Sequence, residues 1–424
     1  MSGVTESGVV GSGSLGRRFG WLWAAYSVST FGTRLAFDAF PLIAVVVLDA
    51  GTAQVAALAA AGLAVGALVA VPLGPWVEFR RKRPVMVATD LVRCVVLLSV
   101  PLAFAFGRLG FAQLLVVSVV VAAADITFRA AAGSCLKALV RPRDLLTANG
   151  RFEATTWTAT MLGPPVGGAA VGLFGPVVTV AVDAAGYLLS AVGIRAIGRE
   201  EPRPRPADVP RLRAGDLLDG WRYVLASPGL RPLFLNTVLV NGLIMATAPL
   251  LAVLMLGDLG FAPWQYGLAF AVPCAGGLVG SRLARTLVAR FGEHRVLVTS
   301  GVLRVCWPVG LAFVGPGTSG LVLVMVVEFG LITSIGVFNP VYATRRLELT
   351  PTDRVARTLS AWTVSGKLAT AGLTAVWGLL ASLTGTRAAV ALAGVLLLAT
   401  PLLLPRQDHV SGQALVGATG DRDR

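Results

Sequence analysis

The sequence predicts an all-α polytopic membrane protein with twelve transmembrane helices in two six-helix bundles. Three observations carry that expectation. About twelve apolar segments of bilayer-spanning length remain once the polar loops are set aside. Of 424 residues, 55% are hydrophobic and only 14% charged, with a mean hydropathy of +0.76; a soluble domain carries about 25% charged residues. The longest loop, about 198–231, divides the segments six and six. A hydrocarbon core about 30 Å thick needs roughly 20 apolar residues at 1.5 Å rise. Lipid offers no hydrogen-bond partner to a bare backbone, so spanning segments are helices or closed barrels. These runs are continuous rather than alternating, which selects helices.

Taken in order, residues 1–18 form a tail that is Gly/Ser/Val-rich to about residue 16, without a cleavable signal pattern, expected to be disordered. The first bundle, 19–197, holds spans near 20–47, 54–77, 84–106, 110–129, 154–173 and 176–197. A linker follows at 198–231. It opens with Glu200-Glu201-Pro202-Arg203-Pro204-Arg205-Pro206, whose composition suits an extended connection. Gly215–Val224, with Leu217, Leu218, Trp221 and Tyr223, has an amphipathic pattern expected to lie at the membrane interface. The second bundle, 232–404, holds spans near 232–256, 265–287, 295–315, 319–342, 358–382 and 387–404, and residues 405–424 form a second tail.

The cationic residues orient this layout. Of the 36 Lys and Arg, 30 fall in the tails and one alternating set of loops, and only Arg108 and Arg387 fall in the other set. The remaining four, Arg34, Arg93, Arg304 and Lys367, lie inside spans. By the positive-inside rule both termini and the linker are expected in the cytoplasm, in a multi-pass protein of the cell membrane. The same distribution accounts for the net charge of +14. The basic residues lack the aromatic interleaving of a nucleic-acid surface.

Several chemistries find no support. Cys94, Cys135, Cys274 and Cys306 have no ligand spacing, and His294 and His409 lie far apart, so no metal site is expected. There is no nucleophile elbow, cofactor fingerprint or Gly-x-x-x-x-Gly-Lys-Ser/Thr loop, so the chain does not read as an enzyme or an ATPase.

The loop between spans 2 and 3 reads Gly74-Pro75-Trp76-Val77-Glu78-Phe79-Arg80-Arg81-Lys82-Arg83-Pro84. It resembles the signature of the major facilitator superfamily, in which a Gly, an acid and a basic cluster join helices 2 and 3. Two six-helix halves joined by a cytoplasmic linker are also that family's layout. Glu78 stands where Asp is usual, and Phe79 replaces a customary Arg. The resemblance implies that this loop latches a cytoplasmic gate through salt bridges. Gly280-Ser281-Arg282-Leu283-Ala284-Arg285, followed by Arg290-Phe291-Gly292, looks like a degraded second copy between spans 8 and 9. Basic loops that merely satisfy the positive-inside rule are the competing explanation.

Gly163-Pro164-Pro165-Val166-Gly167-Gly168, with Gly150 ahead of it, resembles the fifth-helix motif of drug–proton antiporters. Ala159 departs from that motif, where the family has another Gly. Small residues let helix backbones approach and Pro bends a helix, so a generic packing kink is the alternative. Ala148-Asn149-Gly150-Arg151-Phe152, Val182-Asp183-Ala184, Phe338-Asn339-Pro340 and the Arg354/Arg357 pair look like the bacterial branch of macrolide-efflux and enterobactin-exporter-like permeases.

Ionisable groups within spans are costly and usually face a bundle interior. Arg34 and Asp38, Asp90 and Arg93, and Asp125 and Arg129 are acid–base pairs three or four residues apart. Asp90, Arg93, Asp125 and Arg129 are expected toward the cytoplasmic helix ends, joining Glu78, Arg80, Arg81, Lys82 and Arg83 in the gate. Asp38 is the first choice for a proton or substrate-cation site, a fixed salt bridge to Arg34 being the alternative. Asp183, Glu328, Arg304 and Lys367 complete the candidate pathway, with Glu328 placed to neutralise Arg304 or Lys367. Trp21, Trp23, Tyr26, Phe31, Phe37 and Phe40 crowd span 1, serving a substrate pocket, packing or an interfacial belt.

The resemblance implies a secondary active transporter. The leading expectation is proton-coupled efflux of amphipathic small molecules such as drugs, antibiotics or secondary metabolites. It would work by alternating access, powered by the proton gradient without a cofactor, as a monomer without an ATPase subunit. A siderophore or nutrient permease or symporter of the same fold is the second reading, and a non-transporting membrane sensor or scaffold the third.

Overall fold

Helices account for every regular element among the described residues. The computed structural model describes residues 15–35, 71–78, 80–198 and 218–405, with isolated positions between 40 and 69. The first half contains α1 (Gly16–Leu35), α2 (Leu73–Glu78), α3 (Lys82–Ala105), α4 (Phe111–Leu139), α5 (Leu145–Phe174) and α6 (Pro176–Arg195). A short α7 (Asp219–Ala226) precedes the second half: α8 (Leu230–Ala252), α9 (Pro263–Ala271), α10 (Cys274–Phe291), α11 (Glu293–Cys306), α12 (Gly317–Glu348), α13 (Val355–Thr384) and α14 (Thr386–Ala399). Nine segments among the described residues are long and apolar enough to cross a membrane, and α1 and α5 add two further helices of 20 and 30 residues. They correspond to eleven of the twelve expected spans. The second expected span, the end of the first, the start of the linker and both tails lie largely outside the described residues.

The surface is inverted relative to a soluble protein. Phe106, Leu173, Phe174 and Leu383 stand at 65–78% exposure on helix flanks and ends, as the absence of water in lipid permits. Helix ends follow turn chemistry. Gly175 and Gly385 adopt φ of 80° and 90° and each makes a one-residue connection, α5 to α6 and α13 to α14. A side chain would strain that left-handed backbone. The same turn thus recurs at corresponding places in the two halves.

Two expected boundaries change. The fourth span, expected to end at Arg129, continues to Leu139, because Arg129 pairs with Asp125 one turn back instead of ending the helix. The fifth, expected from 154, begins at Leu145, because its polar first turns face the other half rather than water. The amphipathic segment packs against the second half. Gly220 and Val224 of α7 are buried, Trp221 donates to Ser365 Oγ at 2.8 Å, and Asp219 accepts from Arg357 at 2.9 Å. So α7 is docked on α13 of the second half.

The cores show how the halves meet. We call the end at which α6 stops and α7 begins the linker end. There a shared core packs Leu347, Val355, Ala356 and Leu359 against Phe128, Leu136 and Ala148. At the far end each half has its own core. One, with Leu97, Leu114 and Tyr187, draws on the first half alone, and the other, with Leu243, Leu311 and Trp377, on the second alone.

Candidate functional site: a charge hub and a polar cavity between the halves

Asp90 lies eight residues into α3, about 12 Å from the linker end. Asp90 and Arg93 are 0% and 1% exposed, so neither charge is tolerable without partners. Arg93 Nη2 donates to Asp90 Oδ1 at 2.6 Å, and Ser190 Oγ of α6 donates to Asp90 Oδ2 at 2.7 Å. The guanidinium is sandwiched by the rings of Phe128, at 4.7 Å, and Tyr187, at 4.3 Å. Tyr187 in turn hydrogen-bonds Thr33 of α1 at 2.7 Å. Four helices are thereby joined around one cation.

Asp125, midway along α4, is the hub. Arg129 Nε approaches its Oδ2 at 2.9 Å, Arg93 Nη1 its Oδ1 at 3.7 Å, and Lys367 Nζ of α13 its Oδ2 at 4.0 Å. Lys367 belongs to the second half, so one carboxylate holds cations from both halves. Toward the linker end, Asn149 donates to Thr344 at 2.9 Å and Asn339 to Glu153 Oε1 at 2.7 Å. Lys137 donates to the carbonyls of Leu347 and Thr350. These inter-half bonds run from the linker end to mid-depth.

Glu153 also accepts from Trp157 Nε1 at 2.8 Å and lines a cavity of 330 Å³ with Thr237, Asn241, Asn339, Tyr342, Arg346 and Trp362. Polar groups from both halves converge there on aromatic walls, as suits an amphipathic ligand. The sequence reading missed Glu153, Asn241, Asn339 and Tyr342 as site residues. Asn149, Glu153 and Trp157, spaced by four on one face of α5, are the signal the sequence carries, and a span beginning at 154 hides it.

The second half repeats the buried arginine. Arg304, 1% exposed, lies 3.5 Å from the centroid of the Phe338 ring and donates to Asn236 Oδ1 at 2.5 Å. Asn236 donates onward to the Thr400 carbonyl at 2.8 Å. Arg304 therefore pairs with an amide, not with Glu328. Glu328 is buried in α12, with no ion pair among the described residues. Lys367 reaches Asp125 rather than Glu328.

Asp183 is buried on α6, its Oδ1 lacks a hydrogen-bond partner among the described residues, and a Cβ on Gly32 would come within 2.6 Å of that oxygen. Arg34 closes α1, and a Cβ on Gly163 would meet the Arg34 Cβ at 2.6 Å. Asp38, the first-choice carboxyl, lies outside the described residues. In the signature loop, Gly74 lies in α2. Arg80 lies over the Trp76 ring at 5.5 Å, Lys82 donates to the Val77 carbonyl at 2.9 Å, and buried Arg83 donates to the Gly198 carbonyl. Arg81 lines a neighbouring cleft with Arg83 and Arg195. The Glu78 side chain lies outside the described residues. In the fifth-helix motif, a Cβ on Gly150 would approach the Ser281 carbonyl of the other half at 3.3 Å, and Gly163 and Gly167 are buried. Pro164 and Gly168 lie within the continuous α5.

Residues 22–371 match the model of the Major Facilitator Superfamily. The multidrug efflux pump Tap of Mycobacterium tuberculosis H37Rv is 28% identical over 278 residues, 63% of this chain and 64% of that protein, and Tap of Mycobacterium bovis BCG matches equally. The match thus spans less than two thirds of those relatives' length. Among solved structures, a bacterial homologue of the iron transporter ferroportin, in an outward-facing state, superposes with a TM-score of 0.77 at 16% identity, covering 91% of this chain and 98% of that one. The human organic anion transporter MFSD10 gives 0.74 at 15%, covering 91% and 99%. The fucose transporter FucP, in its outward conformation, gives 0.71 at 12%, covering 91% and 98%. At such identities these likenesses establish the fold. With the family model covering most of the chain, this multi-pass membrane protein belongs to the Major Facilitator Superfamily, a family of transporters.

Proposed function

We propose that the protein exports amphipathic small molecules by alternating access, driven by inward proton movement. The observation that carries this is the asymmetry of the interface. Both halves share a core, a charge hub and a polar cavity from the linker end to mid-depth, and keep separate cores at the far end. A molecule in that cavity leaves toward the far end while the linker end is sealed. Breaking the Asp125–Lys367, Glu153–Asn339 and Asn149–Thr344 contacts opens the linker end. The excess of Lys and Arg supports a cytoplasmic position for that end. The Tap relatives are described as multidrug efflux pumps, which supports export.

Proton coupling needs a carboxyl that changes protonation during the cycle. Asp125 is unsuited, since three cations hold it. Asp38, Asp183 and Glu328 are the candidates; Asp183 has an unbonded oxygen and Glu328 no ion pair among the described residues. Inverted membrane vesicles carrying the native chain, Asp38→Asn, Asp183→Asn or Glu328→Gln test this against a panel of dyes and antibiotics. Compound uptake with proton release by the native chain, and loss of both in at least one variant, is expected. If no compound in the panel moves, the multidrug reading gives way to a permease of narrow substrate range. If all three variants transport and release protons as the native chain does, the assigned carboxyls are wrong.

A further inference from the structure

A cleft of 730 Å³ lies between α1, α5 and α10, on the flank of the bundle and separate from the polar cavity described above. Its cations come from both halves: Arg151 of α5, and Arg282 and Arg285 of α10. Among the described residues no carboxylate lines it, and Glu153, two residues from Arg151, is turned toward Trp157 and Asn339. The floor is tight, because α5 and α10 approach closely at Gly150 and Ser281. Arg151 is steered by the rings of Phe19, at 5.8 Å, and Trp23, at 5.6 Å.

Depth sorts the lining by polarity. The three arginines lie about 9–14 Å from the linker end of their helices, by residue count. Phe31, Thr158 and Leu278 lie about 20–22 Å in. Cations at headgroup depth above a weakly polar and apolar slot match one ligand shape: an anionic phosphate carrying an acyl chain. Cations from two halves facing one cleft also repel each other, and that repulsion opposes closure unless an anion sits between them.

We propose that this cleft binds an anionic phospholipid, which bridges Arg151 to Arg282 and Arg285 and favours the state closed at the linker end. Basic pockets between transmembrane helices are suited to such headgroups, each cation contributing about fivefold in affinity.

The test is lipid retention. The full-length protein is reconstituted in nanodiscs of equal phosphatidylethanolamine and phosphatidylglycerol, and co-purified lipids are counted by native mass spectrometry. Selective retention of phosphatidylglycerol is expected. Arg282→Gln alone should reduce that preference roughly fivefold, and the triple variant Arg151→Gln, Arg282→Gln and Arg285→Gln should abolish it. Arg282→Lys should keep most of it. A control pair at exposed arginines outside any described cleft, Arg141→Gln and Arg143→Gln, should match the native protein. Monodisperse elution and unchanged helical circular dichroism accompany each count; if the triple variant misfolds, the single variant decides. Equal retention of both lipids by the native protein overturns the proposal, as does a preference left undiminished in Arg282→Gln. Displacement of the lipid by millimolar glycerol 3-phosphate also overturns it, making the cleft a site for soluble phosphates.

Discussion

Arg93 and Arg304 occupy the same position in the two halves, each eleven residues beyond the first residue of its helix and each stacked on a phenylalanine of the following long helix. Their partners differ: Arg93 has a carboxylate and Arg304 an amide. Removing one partner of a buried ion pair strands the other charge, at a cost of about 3–5 kcal/mol. Asp90→Ala should therefore lower the melting temperature in detergent far more than Ala substitution of exposed Arg143, and the accompanying Ser190→Ala should add little once Asp90 is gone. Equal melting of Asp90→Ala and the native protein would show that Asp90 neither steadies Arg93 nor holds α3 to α6 through Ser190. The acid–base spacings at 90/93 and 125/129 were legible in the sequence, since pairs one turn apart share a helix face. That Asp125 also collects Arg93 and Lys367 was not, because partners from other helices leave no local spacing. The correspondence of Arg93 with Arg304 was readable, in Leu91-Val92-Arg93 and Val302-Leu303-Arg304, but needed the halves to be aligned on each other.

Among elements, small residues set the closest approaches. A Cβ on Gly280 of α10 would stand 2.3 Å from the Thr333 carbonyl of α12, and one on Gly276 2.9 Å from that of Phe329. In the first half, a Cβ on Gly66 would stand 2.5 Å from the Ala122 Cβ of α4. Gly62/Gly66 and Gly276/Gly280 are both Gly-x-x-x-Gly pairs, the spacing by which helices pack closely in lipid. Gly280→Leu should sharply reduce the yield of monodisperse protein, whereas Gly366→Ala, with open space around its Cα, should leave yield unchanged. Comparable yields for the two would remove the close crossing as a constraint. Span existence was legible from apolar length and boundaries less so, for a physical reason. A charged or polar residue ends an apolar run on paper, yet continues a helix when a neighbouring helix satisfies it, as at Arg129 and along the first turns of α5.

At the scale of the whole molecule, the proposed cycle needs two halves that seal one end at a time. Lys367 is the second half's cation at the Asp125 hub, three-quarters buried at 4.0 Å. Lys367→Gln should weaken closure by about 1 kcal/mol, a shift of roughly fivefold toward the state open at the linker end. Cysteine labelling of Asn149→Cys, in the sealed interface, should then be several-fold faster in the Lys367→Gln background; an unchanged rate would assign closure to the apolar core alone. Two halves and a linker could be read from the sequence, because loop length and charge asymmetry are one-dimensional properties. Which end is shut depends on contacts between residues more than 180 positions apart, such as Asn149 with Thr344, which no local pattern encodes.

The most direct test is a pair of distances measured by electron–electron double resonance on the full-length protein in nanodiscs. One spin-label pair spans the linker end, at Arg141 and Thr352, and the other the far end, at Arg108 and Thr386. Without gradient or ligand, the linker-end distance should be short and single. On addition of a transported dye or a change of pH, it should lengthen as the far-end distance shortens, the two populations changing in opposite proportion. Two distances that stay fixed, or that lengthen together, would contradict alternating access between these halves.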